Sequence, residues 1–340
     1  LRRKQKRIAG MAQILPLYRN NSSGTCCGTD SCRRSVRYER QNNRGRIHCI
    51  FGSYLDNDQP HENARKHHKR SPEVCGFEVY YSRPLIVDRA DAVDKPDKFK
   101  GSVEFDHVSF AYNKKNDVLH DISFKIEPGE TVAIMGPTGS GKTTLINLIS
   151  RMYDTTSGKV SVDGVNVKML KLEQLRKNIG VASQDVLLFS DTIDGNIAFG
   201  RSDMPEEEVY KYATLAAADD FIRKTSDGYD TIIGERGVGL SGGQKQRISL
   251  ARALAVKPSV LILDDTTSAV DMETEKYIQN SLKNLDFECT KIIIAQRISS
   301  TKNADKIIIL NNGSIEDIGT HEELITKHGY YREVYDLQTN

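Results

Sequence analysis

From residue 102 to 112 apolar and polar positions alternate, as they do in a strand with one buried face. Residues 130–135 then form a short apolar run that feeds a glycine-rich loop. After the loop, residues 142–152 place Leu145, Ile146, Leu148 and Ile149 at helical spacing. Strand, loop and helix follow in that order. Further apolar runs at 179–182, 260–263, 291–295 and 306–310 alternate with helical patterns, which predicts a mainly parallel sheet covered by helices. Residues 1–80 show no sustained period of either kind. The chain therefore divides into a basic, Cys-containing segment (1–83), a charged linker (84–100) and a folded domain (101–340). Its longest apolar runs fall far short of the roughly 18–20 residues that cross a bilayer.

Charge sharpens this division. Residues 1–80 hold 16 Lys/Arg against 7 Asp/Glu, so within a whole-chain charge of +2 the remaining residues carry −7. Five of the six cysteines (Cys26, Cys27, Cys32, Cys49 and Cys75) lie in that same segment, which leaves Cys289 for the domain, as expected of a reduced compartment. With 38% apolar and 28% charged residues, the composition is that of a soluble chain with a sizeable core. The N-terminal cysteines and histidines have no CxxC spacing to favour zinc, and the basic run reads as solvated rather than as a nucleic-acid site.

Residues 136–143 read GPTGSGKT, which fits the phosphate-binding loop GxxxxGK[ST] between a strand and a helix. Glycines let backbone N–H groups curl around phosphates, and the helix N-terminus adds positive potential. Gly136, Thr138, Gly139, Ser140, Gly141, Lys142, Thr143 and Thr144 are accordingly the candidate ATP-binding residues. Lys142 reaches the outer phosphates and the Thr143 hydroxyl serves Mg²⁺. The run 260–264, VLILD, ends a buried strand in a carboxylate, which makes Asp264 the second metal-side candidate.

A phosphate loop with an acidic strand is shared by several classes of NTPase. The string LSGGQ at 240–244 narrows the class: Ser241, Gly242, Gly243 and Gln244 open a helix as a second anion cradle. Along residues 101–340 the chain resembles the ATP-binding-cassette (ABC) family, in which this signature acts in trans, so that ATP lies between two cassettes. The resemblance implies an α/β phosphate-loop core with a mainly parallel sheet, an antiparallel β subdomain near 101–130, and a helical signature subdomain over about 186–255. By the same resemblance Tyr112 stacks on adenine, Gln184 touches Mg²⁺ and relays nucleotide state, and 268–271 (SAVD) crosses the dimer interface. The stretches 234–237 (GERG) and 188–193 (LFSDTI) resemble exporter cassettes. The partners implied are a second cassette and an exporter's transmembrane domain, at the cytoplasmic face of a membrane, with no nucleic acid.

Two positions depart from the family pattern. Asp265 stands where the family has Glu, which pulls the carboxylate back by one C–C bond, roughly 1.5 Å. Gln296 stands where the family has a histidine at the γ-phosphate; it can hydrogen-bond but cannot become a cation. With Gln184, these are the candidate catalytic residues. Both departures fall on the γ-phosphate while the binding motifs stay intact, as in the degenerate-site chain of a heterodimeric exporter; a slow homodimer is the other assembly. Residues 1–83 are too polar and too short for the family's membrane domain, and are read as a truncated or altered stretch. Two rival readings are a soluble ABC ATPase, which needs a second cassette or a long coiled insertion, and a regulatory ATP-binding subunit without turnover. The transported substrate is not legible.

Overall fold

The computed structural model describes residues 86–94, 98–113, 116–234, 237 and 239–339. The expectations for 1–83, including its cysteines, and for Glu235 and Arg236 lie outside the described residues.

Two sheets form the domain among these residues. The larger has the order β10-β9-β3-β8-β7-β6. Its parallel members are β3 (Thr131–Met135), β6 (Ile179–Ala182), β7 (Val260–Asp264), β8 (Thr290–Ile294) and β9 (Lys306–Asn311), and β10 (Ser314–Gly319) adds an antiparallel edge. All five residues of β7 are buried, and so are four of the five in β3, which is why these strands read as unbroken apolar runs.

The smaller sheet, β2-β1-β4-β5, is antiparallel, with β1 (Val103–Asn113), β2 (Asn116–Ile126), β4 (Ser157–Val162) and β5 (Val165–Asn166). In β1, Val103, Phe105, Val108 and Phe110 point inward. The sheet thus extends past the expected limit of 130. Ser157, Gly158 and Lys159 give β4 an exposed, weakly apolar first half that hides it from a periodicity reading. Beyond β4, the Asp163 carboxylate accepts from the backbone N–H groups of Lys100, Gly101 and Ser102 at 2.7–2.9 Å and so pins the start of β1.

One apolar cluster fills the space around α1 (Lys142–Ile149) and both sheets; Leu145, Leu148 and Ile149 belong to it together with Leu119, Ile134 and Ile262. The helix stops at Ile149, three residues before the expected 152. Arg151 takes a left-handed φ of 50° and the Met152 N–H turns back to Asn147 O at 2.8 Å, which closes the C-terminus.

A second cluster belongs to the helical subdomain: α3 (Ile193–Ile197), α4 (Glu206–Leu215), α5 (Asp219–Arg223) and α6 (Gly242–Ala255), with α2 (Leu172–Lys177) preceding β6. The apolar face of α6 packs on α3, α4 and β6. Three further helices, α7 (Met272–Lys283), α8 (Ile298–Thr301) and α9 (His321–Leu324), lead to α10 (Tyr330–Thr339), which covers β9 together with α8 and α9.

Residues 86–94, expected as linker, lie along 169–172. Val93 N donates to Met169 O at 2.8 Å, Asp88 Oδ1 accepts from Leu172 N at 2.8 Å, and Val87 O accepts from the buried Arg151 at 3.3 Å.

Candidate functional site

In a parallel sheet every strand ends on the same edge, and loops at that carboxyl edge build the site. β3 ends in the phosphate loop, Gln184 follows β6, Asp264 ends β7, and Gln296 follows β8. The topology thus brings four separated candidates to one edge.

The loop is shaped by close packing. Gly136 has φ 149°, and a Cβ there would lie 1.9 Å from Leu310 O, so only glycine lets β3 turn into the loop beside β9. Lys142 is buried, and its Nζ donates to Gly136 O and Pro137 O at 2.8 Å and to Ser140 Oγ at 3.4 Å. The ammonium is held by the loop's own carbonyls, at the start of α1. First-turn N–H groups of a helix have no intrahelical partner, so those of α1 suit an anion. Thr138 and Gly139 are exposed at the loop tip, whereas Ser140 and Thr144 are buried. Burial lowers the Lys142 pKa, opposed by the charges of Asp264 and Asp265.

Asp264 is 4% exposed, and its Oδ2 lies 3.5 Å from Thr143 Oγ1. Burial raises its pKa, and the Asp265 charge raises it further; Thr143 and Lys142 oppose the shift. A buried carboxylate penalised in this way, next to a hydroxyl oxygen, is the hard-oxygen donor set that Mg²⁺ takes while keeping several waters. The pair therefore fits the ion. Gln184 is exposed beyond β6.

Tyr112, at the end of β1, is 38% exposed. Its hydroxyl lies 3.0 Å from Thr144 Oγ1 and its ring stands edge-on to Phe110 and Tyr153, with centroids 4.9 and 5.1 Å away. The ring is thus fixed beside α1, with part of its surface free for a planar base.

Asp265 is half-buried with φ 49°, a left-handed conformation unusual for a residue other than glycine. Its N–H donates to Ile294 O at 2.9 Å, and its carbonyl accepts from Ser268 Oγ at 2.9 Å and Gln246 Nε2 at 3.3 Å. Gln296 is exposed, and its carbonyl accepts from Gln338 Nε2 at 2.9 Å, while Gln338 Oε1 accepts from Ile298 N at 2.9 Å. The last helix thus grips the loop that carries Gln296. Next to it, Arg297 donates to Ser268 O at 3.1 Å. Asp271 caps α7 by accepting from Thr274 N at 2.9 Å; its hydrogen bonds with Thr274 hold its carboxyl below the usual range.

The signature is built differently. Ser241 caps α6, accepting from Gln244 N at 3.3 Å, while Gln244 Oε1 accepts from Ser241 N at 2.9 Å; together they form a capping box. Ser241 and Gly242 are exposed, and a Cβ on Gly243 would lie 2.6 Å from Ala269 O, so the helix start rests on the loop after Asp265. The residue pattern had not singled out Gln246, Gln338 or Arg297 as site residues, because a helical glutamine or an exposed arginine gives no periodic signal.

This arrangement of phosphate loop, acidic strand and signature helix defines an ATP-binding cassette, and residues 119–268 match the ABC transporter family model. The domain is an ABC transporter nucleotide-binding domain. It is 46% identical over 260 residues to an ATP-dependent lipid A-core flippase of Legionella pneumophila strain Paris, spanning 76% of this chain and 44% of the flippase. It is 48% identical over 254 residues to the ABC transporter ATP-binding protein YknU of Bacillus subtilis strain 168, spanning 74% of this chain and 43% of that protein. Among solved structures it is similar to a bacterial Atm1-family ABC exporter with ATP bound, with 37% identity and a TM-score of 0.74 over 78% of this chain and 47% of the exporter. The chain spans a little under half the length of these relatives. Among the described residues no helix is long and apolar enough to cross a membrane.

Proposed function

We propose that the chain is the ATP-binding and ATPase part of an ABC exporter, working as one half of a nucleotide sandwich at the cytoplasmic face of a membrane. The observation that carries this reading is the pairing of a complete phosphate cradle with an exposed second cradle on α6. Lys142 and the first turn of α1 bind and orient the phosphates; Tyr112 receives the base. Thr143, Asp264 and Gln184 hold Mg²⁺, which neutralises phosphate charge when bound. Ser241, Gly242, Gly243 and Gln244 face the ATP of a second cassette, and closure of the pair drives transport by a transmembrane domain.

The chain's own site is slow in this proposal. The Asp265 carboxylate stands back from the water that it should orient, and Gln296 offers a neutral amide to the γ-phosphate. A retraction of this size lowers the rate by about 100-fold. The partner is then a cassette with a competent site, which this chain completes with its signature.

For the membrane partner, the helical subdomain offers an apolar surface: Leu187, Phe199 and Ile232 are exposed, and Phe189 stacks on Phe199 with centroids 4.2 Å apart. Arg252 lies 5.2 Å from the Phe189 ring centre and donates to Leu187 O at 2.7 Å, and burial pushes its pKa down to about 10. This exposed apolar group around Phe189 and Phe199 is where the proposal places the membrane partner. Sedimentation of the full chain, alone and mixed with a competent exporter cassette, with and without MgATP, tests the sandwich. ATP-dependent association that Ser241→Ala removes supports it; association indifferent to both ATP and Ser241 contradicts it.

A further inference from the structure

Gln246 lies in the second turn of α6, five residues after Ser241, with its side chain buried. Its Nε2 donates to Asp265 O and to Ser268 Oγ, and its Oε1 accepts from Ala269 N, all at 3.3 Å. Ser268 Oγ also donates to Asp265 O at 2.9 Å. Both ends of one amide are therefore spent on closing the turn that follows Asp265. That turn needs closing, because a left-handed φ of 49° persists at an aspartate only where the surroundings over-determine it. Gly243, one turn earlier on α6, lies so close to the same turn that a Cβ there would be 2.6 Å from Ala269 O. From the other side Arg297 donates to Ser268 O at 3.1 Å, so the segment bearing Gln296 leans on the same turn.

We propose that Gln246 is a positioning residue that ties the signature end of α6 to the backbone of Asp265. Through it the cassette's contribution to a neighbouring nucleotide is coupled to its own hydrolytic carboxylate; this rests on the sandwich reading above. Gln246 acts through the 265–269 turn and not on ATP. Any tilt of α6 moves the Asp265 carbonyl with it, because the amide bonds two atoms of the turn and receives a third.

Two substitutions in the full chain separate the parts. Gln246→Glu keeps the acceptor for Ala269 N–H but presents oxygen in place of the donor; Gln246→Ala removes both. The expected result is a KM for ATP within about twofold of wild type, with kcat lower by about tenfold or more in both variants. Amide exchange at Ala269 becomes about tenfold faster in Gln246→Ala and stays at the wild-type rate in Gln246→Glu. The same substitutions are made in an Asp265→Glu, Gln296→His chain. Brisk wild-type turnover sinks the slow-site reading alone, whereas an unchanged kcat in both backgrounds sinks the role of Gln246. Should neither background turn over, exchange at 265–270 is compared with and without MgATP. An ATP-dependent change seen in wild type and lost in Gln246→Glu supports the coupling; equal changes in both overturn it. Parallel loss of affinity and kcat also overturns it, by reducing Gln246 to packing.

Discussion

The phosphate loop and the signature are two anion cradles of the same kind, a glycine-containing turn at a helix N-terminus, yet they are finished in opposite ways. In the first, a buried lysine is folded back onto Gly136 O and Pro137 O, and a buried carboxylate stands beside Thr143. In the second, Ser241 and Gln244 satisfy each other, Ser241 and Gly242 lie open to solvent, and the described residues around them offer no acidic strand. The first is equipped to hold a triphosphate and its metal. The second has helix-start donors and Arg247, which donates to Gly243 O at 3.3 Å, but no strand-end carboxylate beside it among the described residues, which supports the proposal that it serves a nucleotide held by another cassette.

Lys142→Ala tests this contrast most strongly. A hydrogen bond to a charged group contributes about 1.5–3 kcal/mol, so ATP affinity should fall by about 10- to 100-fold in an equilibrium titration. Ser241→Ala should leave that affinity within about twofold. It removes the cap of α6, which costs about 1 kcal/mol and lowers the melting temperature by roughly 2–4 °C. If both substitutions weakened ATP binding by the isolated chain equally, the distinction between the cradles would fail.

A smaller effect is expected at Asp264. Its pKa is raised in the folded state, so the native protein holds the proton more tightly than the unfolded chain does. The stability gained from protonation is present at low pH and is lost as pH rises through the folded pKa; at neutral pH the ionised carboxylate opposes folding. Asp264→Asn should therefore raise the melting temperature of the ligand-free chain at neutral pH by about 2 °C, while abolishing added stabilisation by MgATP. Thermal scans at neutral and acidic pH read both, and a lower melting temperature without ligand would contradict the assignment.

The parallel sheet was legible because strands buried on both faces cannot hide their composition: Val260 to Leu263 and Ile307 to Leu310 have no polar position to spare. The phosphate loop was legible because Gly136, Gly139 and Gly141 take positive φ at fixed offsets, and the signature because Gly243 leaves no room for a Cβ beside Ala269 O. The smaller sheet was only half legible, since Ser157, Gly158 and Lys159 open β4 with no apolar periodicity. The left-handed backbone of Asp265 left no trace, because DDTTS does not announce it; besides Ser268, three residues on, the groups that hold it belong to Gln246 and Ile294, far away in sequence. The grip of Gln338 on the Gln296 loop spans 42 residues and depends on where α10 docks.

The account turns on whether Asp265 and Gln296 make this site slow. Steady-state ATP turnover of the wild-type chain, set beside that of the Asp265→Glu, Gln296→His chain under the same conditions, tests it most directly. The account predicts near-silence in the wild type and a rise of about 100-fold in the double variant, with ATP affinity unchanged. Brisk turnover by the wild type, unaltered by the double substitution, would contradict it.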